Sequence, residues 1–493
     1  MIHKFTRKKT YLFGILFLSG LLLVSLSLIL FTSQTAVAQD EEANAVRGGQ
    51  IYDTWWTAIA GGEEEHMEGE EEEHAHEMSG PEEDHPLWAT QSTNTRSGAD
   101  TWRCKECHGW DYLGADGAYG SGSHFTGFPG VMAASSKSVD EVIAALSGGT
   151  NPDHDFSTVM DEHDLADLAA FITTSLIDDS ELLNADKNSN GDASNGETLY
   201  GGVCVLCHGP AGNAINFGAI GDAEFIGHVA GDNPWEFIHK VRFGQPGWPM
   251  PSAIGNGWSN QDVADVLAYA ETLTTDAALS QGGQLYDKWW EALGIEAPEG
   301  DQALWATQST NTRSGTDTWR CKECHGWDYM GADGVYGSGS HATGFPGVLG
   351  AAAMSSDEAL GWLNGTANAD HDFSGMMDEA ALNALVVFLQ QEATDISAYV
   401  GADGVVNGDP RNGRDLFGET CAACHGVDGR TMNFGSADEP EFVGTIAADN
   451  PWEFFHKGSF GQPGEPMPMG MALGWTMQDI ADVLAYAQTL PSE

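Results

Sequence analysis

The sequence predicts an all-α protein of four small domains, arranged as two similar halves behind an N-terminal apolar segment. Four regions each end in apolar residues at the spacing of one helix face, and indications of strands are weak throughout. These closing positions are Leu165, Leu168, Ala169 and Phe171; Val263, Val266, Leu267 and Tyr269; Leu382, Leu385, Val386 and Phe388; and Ile480, Val483, Leu484 and Tyr486. The number of domains follows from regularly spaced cysteines and from repeated sequence.

The sequence repeats at one constant offset, which separates Cys104 from Cys321 and Cys204 from Cys421. Within each half the two cysteine sites lie 100 residues apart. The sequence Trp-Arg-Cys-Lys-Glu-Cys-His-Gly-Trp-Asp-Tyr surrounds both Cys104 and Cys321. So long a period does not fit a solenoid and indicates a duplicated two-domain unit. The predicted domains are residues 39–178, 179–275, 276–395 and 396–493.

All eight cysteines of the 493-residue chain lie in four Cys-x-x-Cys-His motifs. Two thiols at this spacing can add to the two vinyl groups of one porphyrin, and the adjoining histidine then lies beneath the iron as proximal ligand. A disulfide across so short a loop would be strained, and a zinc ribbon does not need a histidine after each pair. The motifs therefore predict four covalently bound haems c. The residues are Cys104, Cys107 and His108; Cys204, Cys207 and His208; Cys321, Cys324 and His325; and Cys421, Cys424 and His425.

A helix entering the Cys-x-x-Cys-His motif, a looped middle, a Met-Pro pair and an apolar closing helix together resemble the class I cytochrome c fold. The resemblance covers nearly all of the chain after residue 38, as four consecutive copies. It implies small all-α domains whose haem edges are partly exposed for electron exchange. The Met-Pro pair occurs in the second and fourth copies, at Met250 and Met467, and is missing from the other two.

These two methionines occupy the position where the family has its distal iron ligand. Met250 and Met467 each follow the proximal histidine by 42 residues, and the resemblance implies that both bind iron. His239 and His456 also repeat, each at the same distance after its proximal histidine and one helical turn after a tryptophan. For these histidines, packing or an interhelix hydrogen bond is favoured over a role as ligand.

Three pairs of repeated residues are candidates for the distal ligand in the first and third copies. They are His154 with His371, Met160 with Met377, and His124 with His341. The first pair lies 17 residues before the aromatic residue of the closing helix, close to the 19 residues found for the two methionine ligands. The second pair lies only 11 residues before that residue, where a core role is favoured. The third pair follows the haem motif closely and suits hydrogen bonding, so His154 and His371 are favoured and the methionines remain the main alternative.

Residues 1–38 have the features of an export sequence. Lys4, Arg7, Lys8 and Lys9 precede an uncharged, mostly apolar run over residues 11–31, and small residues at 36–38 offer a cleavage site. The 21-residue run is also long enough to span a bilayer. The segment is therefore a signal peptide or, alternatively, an uncleaved anchor. Both place the remaining chain in the periplasm or at the extracellular face.

The chain is strongly acidic, with 73 Asp and Glu against 20 Lys and Arg and a formal net charge of −53. Phosphate contacts need Lys and Arg, so nucleic-acid binding is not expected. The acidic surface serves solubility, or it steers basic redox partners toward the protein. Such partners include a membrane-bound respiratory or photosynthetic complex.

The first half contains 17 extra residues within the Glu- and His-rich stretch 61–85. Its histidines could bind a metal, and they are His66, His74, His76 and His85. Like charge and low hydrophobicity oppose packing, however, and favour a disordered acidic insertion.

A second metal pattern lies between the first two domains. Asp186, Asn188, Asn190, Gly191 and Glu197 match the spacing of an EF-hand calcium loop. No helix of the required type is evident before Asp186, and the second half lacks two of the ligand positions. A linker with a helix cap is favoured, and calcium remains the alternative.

The composition and motifs favour an electron carrier over an enzyme. Each predicted haem has a protein residue available as sixth ligand, whereas catalysis at iron needs an open or displaceable position. The sequence contains no nucleophile constellation, and we assign no catalytic residue. The alternative is a cytochrome subunit, or a catalytic haem oxidoreductase, that acts on a small inorganic substrate.

Overall fold

The structure is a computed structural model that describes residues 43–60, 80–436 and 439–492. Within these ranges every regular element is helical, so the predicted all-α class is confirmed for the described residues. Isolated antiparallel bridges, such as Gly114 with Pro129 and Gly331 with Pro346, close loops between helices. No helix in the described part is long and apolar enough to cross a membrane. The predicted export segment lies outside the described residues.

The described part of the first half contains nine α-helices in two segments of the chain. The first segment consists of α1 (Ala45–Ala60), α2 (Cys104–His108), α3 (Val139–Leu146) and α4 (Glu162–Thr174). The second segment consists of α5 (Ala193–Gly202), α6 (Val205–His208), α7 (Ile226–Asp232), α8 (Pro234–Phe243) and α9 (Asn260–Ala270). Short 3₁₀ turns connect these helices, among them Pro86–Thr90 and Gly98–Trp102.

The second half repeats this order of helices. The third segment consists of α10 (Gly282–Leu293), α11 (Cys321–His325), α12 (Ser356–Leu363) and α13 (Glu379–Val387), which continues as a π-helical turn, Phe388–Glu392. The fourth segment consists of α14 (Pro410–Leu416) with a π-helical turn, Phe417–Cys421, then α15 (Ala422–His425), α16 (Val443–Asp449), α17 (Pro451–Phe460) and α18 (Met477–Ala487). Each segment therefore has a haem-motif helix between its first and last long helices.

The first and last helices of every segment cross at a glycine. A Cβ added to Gly48 of α1 would lie 2.0 Å from the carbonyl oxygen of Asp167 in α4. The same distance would be 1.9 Å for Gly196 in α5 and Asp265 in α9. In the second half the pairs are Gly282 with Ala384 at 2.3 Å and Gly413 with Asp482 at 1.8 Å. Because glycine has no side chain, the two helices can approach this closely and enclose the core between them.

The predicted closing helices form the centre of each core. Leu168 and Phe171 of α4, Leu267 of α9, Phe388 after α13 and Leu484 of α18 are all fully buried. Burying a side chain of this size stabilises a protein by about 1.5–3 kcal/mol. The capping side chains Asp161, Ser259, Asp378 and Thr476 accept hydrogen bonds from the first turns of these helices.

A buried histidine joins the two segments of each half. The Nε2 atom of His239 lies 2.9 Å from the Gly49 carbonyl oxygen, and its Nδ1 atom lies 2.9 Å from the Tyr112 hydroxyl. The donor to the carbonyl must be Nε2–H, so Nδ1 accepts from the tyrosine. Burial lowers the pKa of His239 to about 3, which keeps this ring neutral. The equivalent contacts in the second half join His456 to Gly283 at 2.9 Å and to Tyr329 at 2.7 Å.

A buried carboxylate also joins the two segments of each half. Asp53 accepts hydrogen bonds from Arg103 and, at 2.7 Å, from the Nζ atom of Lys240. Although burial alone would raise the pKa of Asp53, the two cations hold it well below its ordinary value. Asp287 has the same arrangement with Arg320 and Lys457. Both halves therefore use one charged seam between their two segments.

Candidate haem-binding sites

Each Cys-x-x-Cys-His motif lies in one short helix. In the second and fourth motifs, the first cysteine directly precedes that helix. In α2 this turn ends at Gly109, whose φ of 77° lets the chain reverse immediately after His108. No disulfide links any two of the eight cysteines. Burial raises the pKa of Cys104 and Cys107 to about 12. These are not the acidic thiols of a redox-active dithiol, which leaves the predicted thioether attachment as the chemistry that fits them.

The first motif opens onto an apolar cleft of about 570 Å³, part of which is open to solvent. The lining includes Cys104, Cys107, His108, Phe128, Val131, Leu146, His154, Phe156, Leu168 and Ile172. The cleft holds two thiols and three imidazoles, those of His85, His108 and His154, and so includes the donor set of a haem with two histidine ligands.

The predicted proximal and distal histidines face each other across this cleft. The ring centres of His108 and His154 are 6.2 Å apart, and those of His325 and His371 are also 6.2 Å apart. A metal–imidazole nitrogen bond is about 2 Å long. Two imidazoles bound to one ion from opposite sides would therefore have ring centres about 6 Å apart. The separation in both sites leaves room for one iron atom and no additional ligand.

The proximal histidines of these two sites are oriented by carbonyl groups. The Nδ1 atom of His108 lies 2.7 Å from the Pro129 carbonyl oxygen, and that of His325 lies 2.6 Å from Pro346. Nδ1 must carry the proton to donate this bond, so Nε2 is left with its lone pair for a metal. Burial lowers the pKa of both histidines to about 4, which keeps them in the neutral form that metal binding requires.

The second and fourth sites differ from the first and third. The Nδ1 atoms of His208 and His425 are buried and have no hydrogen-bond partner among the described residues. Met250 packs in the same apolar cluster as Cys204. Met467 lies in the equivalent loop, since the backbone N–H groups of both methionines donate 2.8 Å hydrogen bonds two residues back. The structure thus gives the two methionines matching positions without fixing a distance to the proximal histidines.

The remaining ligand candidates lie in other surroundings. Met160 and Met377 are buried in the cores and do not line the cleft of the first site. The Nδ1 atom of His124 lies 3.1 Å from the Glu106 carboxylate, and its ring stacks on Tyr119. The Nδ1 atom of His341 accepts a 2.8 Å hydrogen bond from an arginine side chain. These contacts fit the core and hydrogen-bonding roles favoured from the sequence.

Two features of the sites were missed in the sequence. His85 was included in the acidic stretch predicted to be disordered, but its side chain is buried and lines the first cleft. Its ring stacks on Phe156 at 5.3 Å and lies 6.3 Å from the ring of His154. A comparison of the repeats could have found it, because the equivalent position in the second half is Gln302, which lies in an ordered segment. The other histidines of the stretch lie outside the described residues.

The second missed feature is that the second and fourth sites lie side by side. Helix α6, which carries Cys207 and His208, contacts the π-helical turn that leads into the fourth motif. Burial raises the pKa of Cys421 to about 12, and the nearby thiols of Cys424 and Cys207 add to this rise. No sequence pattern points to a contact between these sites, which belong to different halves of the chain.

The calcium pattern is not assembled into a cluster of acidic ligands. Within the described ranges, no group of three or more His, Cys, Asp or Glu side chains could hold a metal ion. The end of the pattern acts as a helix start instead, because Asp192 accepts a hydrogen bond from the Ser194 backbone N–H and caps α5.

Comparisons with known proteins identify two regions of the chain. Residues 191–269 match the family model described as cytochrome C oxidase, cbb3-type, subunit III, and residues 410–491 match the model described as Cytochrome c. No curated protein matches the chain in sequence. A solved structure of thiosulfate dehydrogenase from Marichromatium purpuratum, in its as-isolated form, shares 18% identity. That match covers 78% of this chain and 86% of the other, with a TM-score of 0.18, and it assigns no function here.

Each matched region contains one of the Cys-x-x-Cys-His sites described above, at Cys204–His208 and at Cys421–His425. Cytochrome c domains bind haem c covalently through this motif. The helical structure of both regions agrees with that assignment. These two regions are therefore similar to cytochrome c domains, each with its own attachment site for haem c.

Proposed function

We propose that this protein is an exported tetrahaem c-type cytochrome that carries electrons between redox partners outside the cytoplasm. The observation that supports this proposal most directly is the 6.2 Å distance between the centres of the two imidazole rings at the first site and at the third. A pair of histidines at this distance closes both axial positions of one iron. A closed site can exchange electrons through its edge, whereas an enzyme acting on a small substrate at iron needs an open position.

The proposal includes four haem domains with the predicted boundaries. The crossing of first and last helices at a glycine in all four segments supports a common fold for them. The proposed distal ligands are His154 and His371 in the first and third domains, and Met250 and Met467 in the second and fourth. The matching loops around the two methionines support their equivalence.

The ligands predict two classes of reduction potential. Haem supplies a one-electron couple, and methionine ligation raises its potential relative to a second histidine. The hydrogen bond from the proximal imidazole to a carbonyl makes that imidazole more basic. Such a bond is present at His108 and His325, and none is found at His208 or His425 among the described residues. Both effects lower the potentials of the first and third sites relative to the other two.

The ligand assignment can be tested by spectroscopy of the full haem-loaded protein. A haemochrome assay should give four haems per chain. The far-red charge-transfer band of methionine-ligated ferric haem should account for about half of them. Replacing Met250 and Met467 with leucine should remove the band and lower two of the four potentials. Fewer than four haems would contradict the proposal.

The core methionines provide a matched control. Met160→Leu with Met377→Leu removes two methionines that lie in the cores, and we expect the band to keep its intensity. Leucine and methionine have similar volumes, so the fold should tolerate the exchange at less than about 1.5 kcal/mol. Loss of band intensity in this variant would assign these methionines, rather than His154 and His371, as ligands.

We further propose that the acidic surface steers basic redox partners. The net charge of −53 would attract a basic protein over the range of the ionic screening length, about 10 Å at 0.1 M salt. Electron transfer with a basic redox protein should therefore slow steeply as salt is added, whereas transfer with a neutral small acceptor should not. Equal salt dependence for the two acceptors would favour solubility as the role of the charge.

A further inference from the structure

The second and fourth haem sites are held together by a small apolar contact between the two halves. Ala214, Met469 and Ala472 are almost completely buried in one cluster. The backbone N–H of Met469 donates a 3.2 Å hydrogen bond to the Ala214 carbonyl oxygen. A Cβ added to Gly209 would lie 3.1 Å from the Ala472 carbonyl oxygen. The surfaces therefore touch directly and leave no layer of water between them.

This contact involves the elements that attach the haems. Gly209 directly follows His208, the proximal residue of the second site. Met469 and Ala472 follow Met467, the proposed distal ligand of the fourth site, by two and five residues. In addition, α6 contacts the turn Phe417–Cys421, so the attachment helices of the two sites also meet.

Three residues of this contact differ between the duplicated sequences, whereas Gly209 is matched by Gly426. The positions equivalent to Met469 and Ala472 in the first half hold Ser252 and Gly255. The position equivalent to Ala214 in the second half holds Thr431, which is exposed.

We propose that this contact is the junction at which electrons pass between the two halves, from the second haem site to the fourth or in reverse. The inference rests on the proposed four-haem function. One electron lost by iron at one site is gained by iron at the other, and no bond is formed or broken. Because the cysteines that would bond each porphyrin lie on or next to these helices, a contact between the helices would also bring the two haem positions close together. The apolar surroundings also exclude water, which limits the dielectric response to a change of charge.

Circular dichroism in the Soret region tests the junction in the full four-haem protein. Two haems in close contact couple their transitions and give a signal with one positive and one negative lobe. We expect this signal in the unmodified protein, and its loss in Ala214→Arg and in Ala472→Arg, which insert a charged side chain from either side of the contact. The two variants are independent, so one can fail to fold without removing the test.

The duplicated sequence supplies matched controls. Thr431→Arg and Gly255→Arg place the same side chain at the equivalent positions of the other half. Thr431 is exposed, and a Cβ at Gly255 would approach closely only the flexible Ser252 hydroxyl, with the Ser252 carbonyl oxygen at an ordinary contact distance of 3.6 Å. Both controls should retain the two-lobed signal. Four haems without such a signal, or a signal that survives in both contact variants, would overturn the junction alone. A count below four haems would instead overturn the proposed function.

Discussion

Both halves have the charged seam between their segments, but two buried residues near the seam differ between the halves. In the first half, Arg242 of α8 and Asp179 are both buried at this seam. The equivalent residues in the second half are Ser459 and Ile396, which are also buried. One copy of the duplicated fold therefore contains two buried ionisable residues, which make no ion-pair contact within the described residues, where the other has a hydroxyl and an aliphatic side chain.

In the first half, several polar atoms of Arg242 and Asp179 lack hydrogen-bond partners among the described residues. The Nη2 atom of Arg242 donates a 2.7 Å hydrogen bond to the Ser175 carbonyl oxygen. Its Nε and Nη1 atoms, and both carboxylate oxygens of Asp179, have no hydrogen-bond partner in the described part of the chain. Burial raises the pKa of Asp179 to about 7, although Arg242 opposes this rise. In the second half, the Ser459 hydroxyl donates a 2.7 Å bond to the Phe455 carbonyl oxygen.

Comparing the halves shows which buried residues are the same in both copies of the fold and which residues differ. Asp53 and Asp287, with their arginine and lysine partners, occupy the same positions in both halves. The charged seam therefore forms both in the half that contains Arg242 and Asp179 and in the half that contains Ser459 and Ile396. Replacing a buried ion pair by apolar residues is often neutral or stabilising by about 1–4 kcal/mol, so the second half has the less demanding solution.

The largest effect should follow from breaking the charged pair on one side. Asp179→Ile introduces the residue of the second half but leaves Arg242 charged, buried and without its counter-ion. Leaving a buried charge uncompensated destabilises a protein by up to about 3–5 kcal/mol, and we expect the lower part of this range because Arg242 and Asp179 interact without an ion-pair contact. Chemical denaturation followed by far-ultraviolet circular dichroism should show this loss in the transition of the first half.

The double replacement is the control for that variant. Asp179→Ile with Arg242→Ser transfers the complete arrangement of the second half, and stability should return to the unmodified value or exceed it by about 1–4 kcal/mol. The coupling energy from the cycle should then be large, as for residues that act together. Additive effects of the two changes would show that the charges do not form a pair.

A smaller effect, equal in the two halves, should follow from altering the shared seam. Lys240→Met and Lys457→Met each remove one cation from a buried carboxylate that retains its arginine. A lost buried hydrogen bond of this kind costs about 1–3 kcal/mol. Paired denaturation curves should give the same loss for both variants. Unequal losses would mean that the residues behind the seam influence the carboxylates themselves.

The pH dependence of stability should also distinguish the halves. The folded pKa of Asp179 is raised to about 7, above its unfolded value, so the folded state retains this proton more strongly. Its contribution is present at low pH and is lost as pH rises from about 4 to 7, by at most about 1.4 kcal/mol per pH unit. Asp53 and Asp287 act in the opposite direction, because their pKa values are lowered. Their contribution is lost as pH falls through the acid range.

Asp179→Asn removes the titrating group while keeping its size. The unmodified protein should lose stability in the first half between about pH 4 and 7, and the variant should not. Thermal unfolding measured across this range would show the difference. A similar decline in the variant would assign the pH dependence to other groups.

The sequence predicted those parts of the molecule that depend on local spacing. The haem motifs and the closing helices are set by residues a few positions apart, so all four were recognised. The junction at Met469 and the pair of Arg242 with Asp179 depend instead on contacts between residues far apart in the chain. Neither has a pattern of its own, although both lie where the two repeats differ. Positions at which the two repeats differ in sequence therefore point to these long-range contacts.

His85 is one such disagreement, and it gives the smallest expected effect. Its Nδ1 atom accepts a 3.2 Å hydrogen bond from the Leu87 backbone N–H, as the Gln302 side chain does at 2.6 Å from Leu304. His85→Gln should therefore preserve this helix cap and change stability by less than about 1 kcal/mol, whereas His85→Ala should lose about 1–2 kcal/mol. Because His154 is the proposed ligand of this haem and His85 is not, the absorption spectrum should stay that of a six-coordinate haem in both variants. A high-spin spectrum in His85→Gln would make His85, rather than His154, the ligand of the first haem.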